Sequence, residues 1–222
     1  VGCGDDEESC THTFVETLDI GVCDPTAGPF STTIDNELFP MAVGTVWVLE
    51  GEDDGETARV EVTVTDETES VAGVTTRVLV ERESENGELV EISRNFFAQA
   101  PDGTVCYFGE DVDIYENDAV VSHDGAWRAG ENGARPGIQM PASPSVGQAY
   151  RQEVAEGIAR DEGTIAAAGE PITTPAGTYS DTLRVEETSA LDACDHSTKV
   201  YARGIGMVFD SGISLVSYTP AP

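Results

Sequence analysis

Six residues of this sequence, Tyr107, Trp127, Arg128, Tyr150, Arg151 and Glu153, have the types and spacing to build a binding site. Arginine is scarce, at ten residues in 222, so two beside aromatic rings stand out. A guanidinium can clasp a carboxylate through two parallel hydrogen bonds or stack on a ring. Together these side chains could enclose a small, partly apolar ligand, oriented by Arg151 and closed over by the loop that carries Trp127. The plainer reading pairs Arg151 with a buried acid and uses Trp127 to plug one end of the fold.

Other chemistry finds less support. His12, His123 and His196 are scattered, and no Cys-x-x-Cys pair accompanies them, which argues against zinc. His12 lies in an acidic leader, His123 precedes the turn signal Asp124-Gly125, and His196 sits in a polar hairpin tip. No Gly-x-Ser-x-Gly elbow occurs, so a hydrolase triad is unsupported and no catalytic residue is assigned. Asp111, Asp113 and Glu116 are spaced like calcium ligands, but Glu116 stands where an EF-hand loop needs glycine. An acidic hairpin turn explains them better. A weak calcium site is the one cofactor kept open.

The charge narrows the partners. Against 42 acidic residues stand 11 basic ones, a net charge of −31. Nucleic acid and anionic headgroups are disfavoured, because binding them relies on Lys and Arg. The acids are spread along the whole chain, as on a solvated surface suited to salty surroundings. Lys199 is the sole lysine.

The opening Val1-Gly2-Cys3-Gly4-Asp5-Asp6 resembles the cleavage site of a bacterial lipoprotein signal peptide. On that reading Cys3 carries the lipid, residues 1–35 form an acidic tether, and residues 36–222 form one β domain. By that resemblance alone, glycine rather than aspartate after the lipidated cysteine implies the outer membrane or cell surface. The four remaining cysteines, Cys10, Cys23, Cys106 and Cys194, then suit two disulfides. Of three pairings, Cys10–Cys23 and Cys106–Cys194 are expected: one closes a short loop, the other staples two distant hairpins.

Period-two patterning supplies the elements. Ala58, Val60, Val62 and Val64 alternate with polar residues, as in a half-buried strand. Strands follow over 74–83, 89–99 and 104–109, separated by Asn86-Gly87 and Pro101-Asp102-Gly103. Residues 124–147, rich in Gly and Pro, read as a long loop anchored by Trp127, Ile138 and Met140. Strands resume at 148–154 and 158–168; Gly157 and Gly163 argue against a helix there. A turn over 174–177 leads into a strand at 179–187, and 198–202, 207–209 and 213–218 complete the set. The expected fold is all-β: a single antiparallel meander of about ten strands forming a β-barrel or strongly curved sheet.

Four segments carry a family resemblance: Ile34 to Pro40 with Gly44-Thr45-Val46-Trp47; Phe97 to Gly103 leading to Tyr107-Phe108-Gly109-Glu110; Gly125-Ala126-Trp127 through Pro136-Gly137-Ile138-Gln139-Met140-Pro141 to Glu153; and Val200 to Val208. They resemble a widespread group of secreted or lipid-anchored bacterial β-proteins without an assigned activity. The resemblance implies one extracytoplasmic β-domain and supplies no catalytic residues. Relatives usually carry an aromatic residue where Cys106 stands and lack a cysteine near Cys194, which suits a bridge between those two.

The function expected is that of a non-enzymatic, lipid-anchored envelope protein. It would touch the membrane through its lipid only and bind a small ligand or an envelope partner. The alternatives are an enzyme of unknown type with its site in the same pocket, and a calcium-stabilised surface module.

Overall fold

The computed structural model describes residue 10, residues 17–53 and residues 55–222. Cys3, the acidic run 4–9 and His12 lie outside the described residues. Where alternation is long and regular it produces long strands. These are β1 (Val46–Asp53), β2 (Glu56–Val71), β3 (Val74–Glu85), β4 (Glu88–Gln99) and β5 (Val105–Glu116), a continuous antiparallel meander. Asn86 and Gly87 join β3 to β4 with φ of 50° and 84°, the double left-handed geometry of a tight hairpin.

Three short strands follow against β5: β6 (Ala119–Ser122), β7 (Trp127–Arg128) and β8 (Arg135–Met140). Then come β9 (Ala149–Arg151), β10 (Glu153–Val154), β11 (Asp161–Ala168), β12 (Ile172–Thr174), β13 (Gly177–Tyr179), β14 (Thr182–Ser189), β15 (His196–Ala202), β16 (Gly206–Asp210) and β17 (Ile213–Thr219). Fifteen of these strands form one sheet, and β12 with β13 forms a separate hairpin. The main path runs β10-β8-β5-β4-β3-β2-β1-β17-β16-β15-β14-β11-β9. Its two ends, β10 and β9, are separated in sequence by Gln152 alone. The chain therefore steps across the remaining gap through its own backbone, and the sheet is nearly closed as a barrel. Gly137 makes this junction possible: a Cβ there would lie 2.4 Å from the Gln152 carbonyl oxygen.

The all-β, barrel-like expectation stands, but about ten strands become seventeen among the described residues. The residues read as a long loop over 124–147 include β7 and β8, and β8 is a wall strand pairing both β5 and β10. Strand 158–168 begins instead at Asp161, after a hairpin in which Ala155 and Ala159 bond to each other. Strand 179–187 is split, with Tyr179 in the outlying β13 and the wall resuming at Thr182. A strand of two or three residues holds too few positions to display a period of two.

Residues 17–35, read as tether, pack on the domain. Two short 3₁₀ turns, Gly21–Cys23 and Pro25–Ala27, lead to Phe30, which meets the buried Phe108 edge-on at 5.4 Å. Ser31 bridges the backbone of Gln99. The disulfides are Cys23–Cys106 and Cys10–Cys194, with Cα separations of 5.5 and 5.1 Å, so the expected pairing is overturned. Cys23 and Cys106 are both fully buried, because the segment runs over β5 rather than looping on itself.

The next stretch closes one end of the barrel. Ile34, Leu38 and Met41 are each 3% exposed. Phe39 reaches Phe97 on β4 at 5.3 Å and Tyr201 on β15 at 6.3 Å, two strands far apart around the wall. The Trp47 indole donates to the Ile205 carbonyl at 2.7 Å. Arg203 ties this end together through Glu37 at 2.6 Å and Asp181 at 3.0 Å.

Candidate functional site

Inside the wall lies a cavity of about 270 Å³ whose lining includes eight carboxyl groups and one ammonium. Alternation along each strand places them. On β3, Glu81 and Glu83 follow one another at a spacing of two, and Glu91 of β4 stands opposite Glu83 in register. A bulge on β5 adds Glu110: the pairing passes from Phe97–Tyr107 to Phe96–Gly109, leaving Phe108 as the extra residue. Without it, strict alternation would put Tyr107 and Glu110 on opposite faces; with it, both line the cavity. At the barrel junction Gln152 and Glu153 both line it as well. Asp161, Glu187, Lys199 and Asp210 complete the charged wall from β11, β14, β15 and β16.

Part of this lining is internally satisfied. Lys199 Nζ lies 3.0 Å from Glu187 and 3.8 Å from Asp210. Gln152 donates to Glu187 at 2.8 Å. The Asp161 amide donates to Glu153 at 2.6 Å. The Tyr107 hydroxyl donates to Asn95 at 2.6 Å, and Asn95 donates to Ser93 at 3.0 Å. Glu81, Glu83, Glu91 and Glu110 have no cation in ion-pair contact among the described residues.

The electrostatics follow from this imbalance. Burial, reinforced by Glu83, pushes the Glu81 carboxyl up to about 8. Burial and Glu91 push Glu83 up to about 7. Burial, reinforced by Glu91 and Asp161, raises Glu110 to about 7. Glu153, Glu91 and Asp161 are raised too, each mainly by burial. Burial opposes the Lys199 charge, yet Glu187 and Asp210 outweigh it and hold the ammonium well above its ordinary value.

The cavity has an inner and an outer neighbour. Inward, it shares Phe39, Glu81 and Met207 with an apolar recess of about 40 Å³, which also holds Met41, Trp47, Leu49, Val62 and Leu79. Outward, it shares Glu83, Lys199 and Asp210 with a vestibule of about 570 Å³. Glu85, Cys194 and His196 line that vestibule.

The six residues singled out in the sequence are only partly brought together. Tyr107 and Glu153 line the cavity. Trp127 packs edge-on against Tyr107 at 5.2 Å instead of plugging an end, a task that falls to the segment around Phe39. Tyr150 is buried and lies against Gly163. Arg151 is next to Tyr150 on its strand and so faces the other way, where it pairs with the buried Glu162 at 3.5 Å, as the plainer reading expected. Arg128 is also turned elsewhere, held by Asp111 at 2.6 and 2.9 Å and by Glu69 at 3.2 Å, and it lies 4.7 Å over the Phe96 ring.

The calcium candidates do not converge either. Asp111 is taken by Arg128, Asp113 meets His123 at 2.9 Å, and Glu116 ends β5 at the turn. Among the described residues no group of three or more His, Cys, Asp or Glu has a metal-holding arrangement, the cavity included. Its carboxyls are distributed around a wall, a pattern that suits an extended organic cation better than a point ion.

Most of the charged lining was missed in the sequence. Lys199, noted as the only lysine, was a usable signal. Glu81-x-Glu83-x-Glu85 was another, but it follows three consecutive apolar residues, Val78 to Val80, so its face could not be fixed. No family model, curated protein or solved structure matches this chain.

Proposed function

We propose that this protein is a non-enzymatic binding protein that holds a small organic cation inside its barrel, displayed outside the cytoplasmic membrane on a lipid carried by Cys3. One observation carries the binding reading: an interior cavity lined by eight carboxyls and a single ammonium that two of them already engage. Glu81, Glu83, Glu91 and Glu110 are half-buried carboxyls crowded together, and a bound cation supplies the opposite charge they lack. The cavity, about 270 Å³, has room for a small organic molecule. Two disulfides support an oxidising compartment.

The test is calorimetric titration at pH 8 and physiological salt with butylammonium, 1,4-diaminobutane and, as an anionic control, glutarate. Saturable binding of the ammonium compounds with no response to glutarate is expected. An absence of saturable ammonium binding, or equal binding of glutarate, overturns the reading. For the anchor, intact mass after expression in a bacterial envelope reads diacylglyceryl on Cys3 directly, and an unmodified Cys3 removes that part.

A further inference from the structure

Resting on that reading, we infer that the ligand is a linear polyammonium, an alkyl chain with two or more ammonium groups, lying along a ladder of carboxylates from Glu81 through Glu83 to Glu85. The ladder is a property of β3. Residues two apart in a strand share a face and stand about 7 Å apart. Glu81 is the deepest rung, at the border of cavity and apolar recess. Glu83 belongs to cavity and vestibule alike, and Glu85 lines the vestibule. The three rungs therefore lead from the closed end to the mouth.

Spacing and surroundings both select a polyammonium. Three or four methylenes of ordinary bond length hold two nitrogens roughly 5–6 Å apart, close to one rung. Glu91 stands directly opposite Glu83 in the sheet register, a like-charge pairing that is unfavourable until a cation lies between the two. Beside Glu81 the wall is apolar, with Phe39 and Met207, and suits methylene spacers that a metal ion lacks. Phe97 and Tyr107, stacked on each other at 4.8 Å, add apolar ring edges to the same lining.

One buried polar group near the cavity wall is also left unsatisfied by the protein. The Tyr150 hydroxyl is buried with no hydrogen-bond partner. Tyr150 is 2% exposed, its ring end lies against Gly163, and burial holds its hydroxyl well above the ordinary phenol value. Buried phenols ordinarily find a partner.

The experiment ranks butylammonium, 1,4-diaminobutane and spermidine by titration calorimetry at pH 8 and 150 mM NaCl, with tryptophan fluorescence as a second readout. Both tryptophans adjoin the ladder, Trp47 in the recess and Trp127 behind Tyr107. Affinity should rise tenfold or more with each added ammonium, at one ligand per chain. Glu81→Gln and Glu83→Gln, each an uncharged isostere, should weaken spermidine at least tenfold, whereas Glu116→Gln at an exposed turn should leave it unchanged. Butylammonium binding as tightly as spermidine overturns the polyammonium assignment while leaving an ammonium site intact. Equal losses from Glu116→Gln and Glu83→Gln reduce the effect to surface charge and overturn it too. Binding of none of the three removes the underlying reading.

Discussion

The two ends of the barrel interior are built from the same strands and obey opposite rules. At the closed end Leu49, Val62 and Leu79 meet Trp47 and Met41 in a nearly filled recess. One two-residue step along β3, from Leu79 to Glu81, enters a wall of carboxyls around an open cavity. The first arrangement stabilises through apolar burial, about 1.5–3 kcal/mol for each large side chain. The second opposes folding wherever its carboxyls ionise. A sheet that can fill one end with leucine and valine has no folding need for glutamate at the other, and on the proposed reading this asymmetry separates scaffold from site.

The comparison breaks most readily at the closed end. Trp47→Ala should cost about 3–5 kcal/mol, which lowers the melting temperature by roughly 10 °C in a domain of this size. A change under 2 °C would show that the recess is not the stabilising half.

At the open end the prediction concerns pH. Glu81, Glu83 and Glu110 titrate near 7–8 when folded and near 4.5 when unfolded. Below about 4.5 both states hold the protons, so these groups favour folding most there. As pH rises from 4.5 toward 8 the unfolded chain releases protons that the folded chain keeps, and stability falls, flattening above 8. The slope has a ceiling of about 1.4 kcal/mol per pH unit for each group. Melting curves from pH 5 to 8.5 in 1 M salt, where surface repulsion is screened, should show the decline. A flat or rising profile would contradict it. Ligand affinity should run the other way and strengthen from pH 6 to 8, because alkyl ammonium groups keep their charge there.

Removing a single deep carboxylate sharpens the contrast. Glu81→Gln should raise the melting temperature of the ligand-free protein by a few degrees at pH 8 and change it little at pH 5. Destabilisation at pH 8 would mean that Glu81 supports the fold. The smallest effect is expected from Arg203→Gln, which removes half-exposed pairs with Glu37 and Asp181 at the closed end. Such pairs contribute at most about 1 kcal/mol, and a larger loss in denaturant titration would show that ion pairing, as well as apolar packing, secures that end.

How far the sequence reached is clearest strand by strand. Alternation from Ala58 to Val64 and the Asn86-Gly87 turn were legible because both signals are local. β8 was hidden because its Pro136 and Gly137 look like loop chemistry. Gly137 is there because the Arg151 and Gln152 carbonyls press against it from a distant part of the chain. Among the six expected site residues, Tyr107 and Glu153 reached the cavity, and Arg151 could not, since it neighbours the buried Tyr150 on one strand.

The sequence alone determined that the chain forms antiparallel strands, where its long hairpins turn and which cysteines pair off in total. Tertiary structure decided which sulfurs meet, that Gln152 joins the ends of the sheet, and that the bulge at Phe108 brings Glu110 beside Tyr107. The reason is that a strand's pattern separates its two faces without saying which one faces inward. In a chain with 42 acids, Glu-x-Glu serves a solvent face and an interior wall equally well, and only closure of the barrel tells them apart.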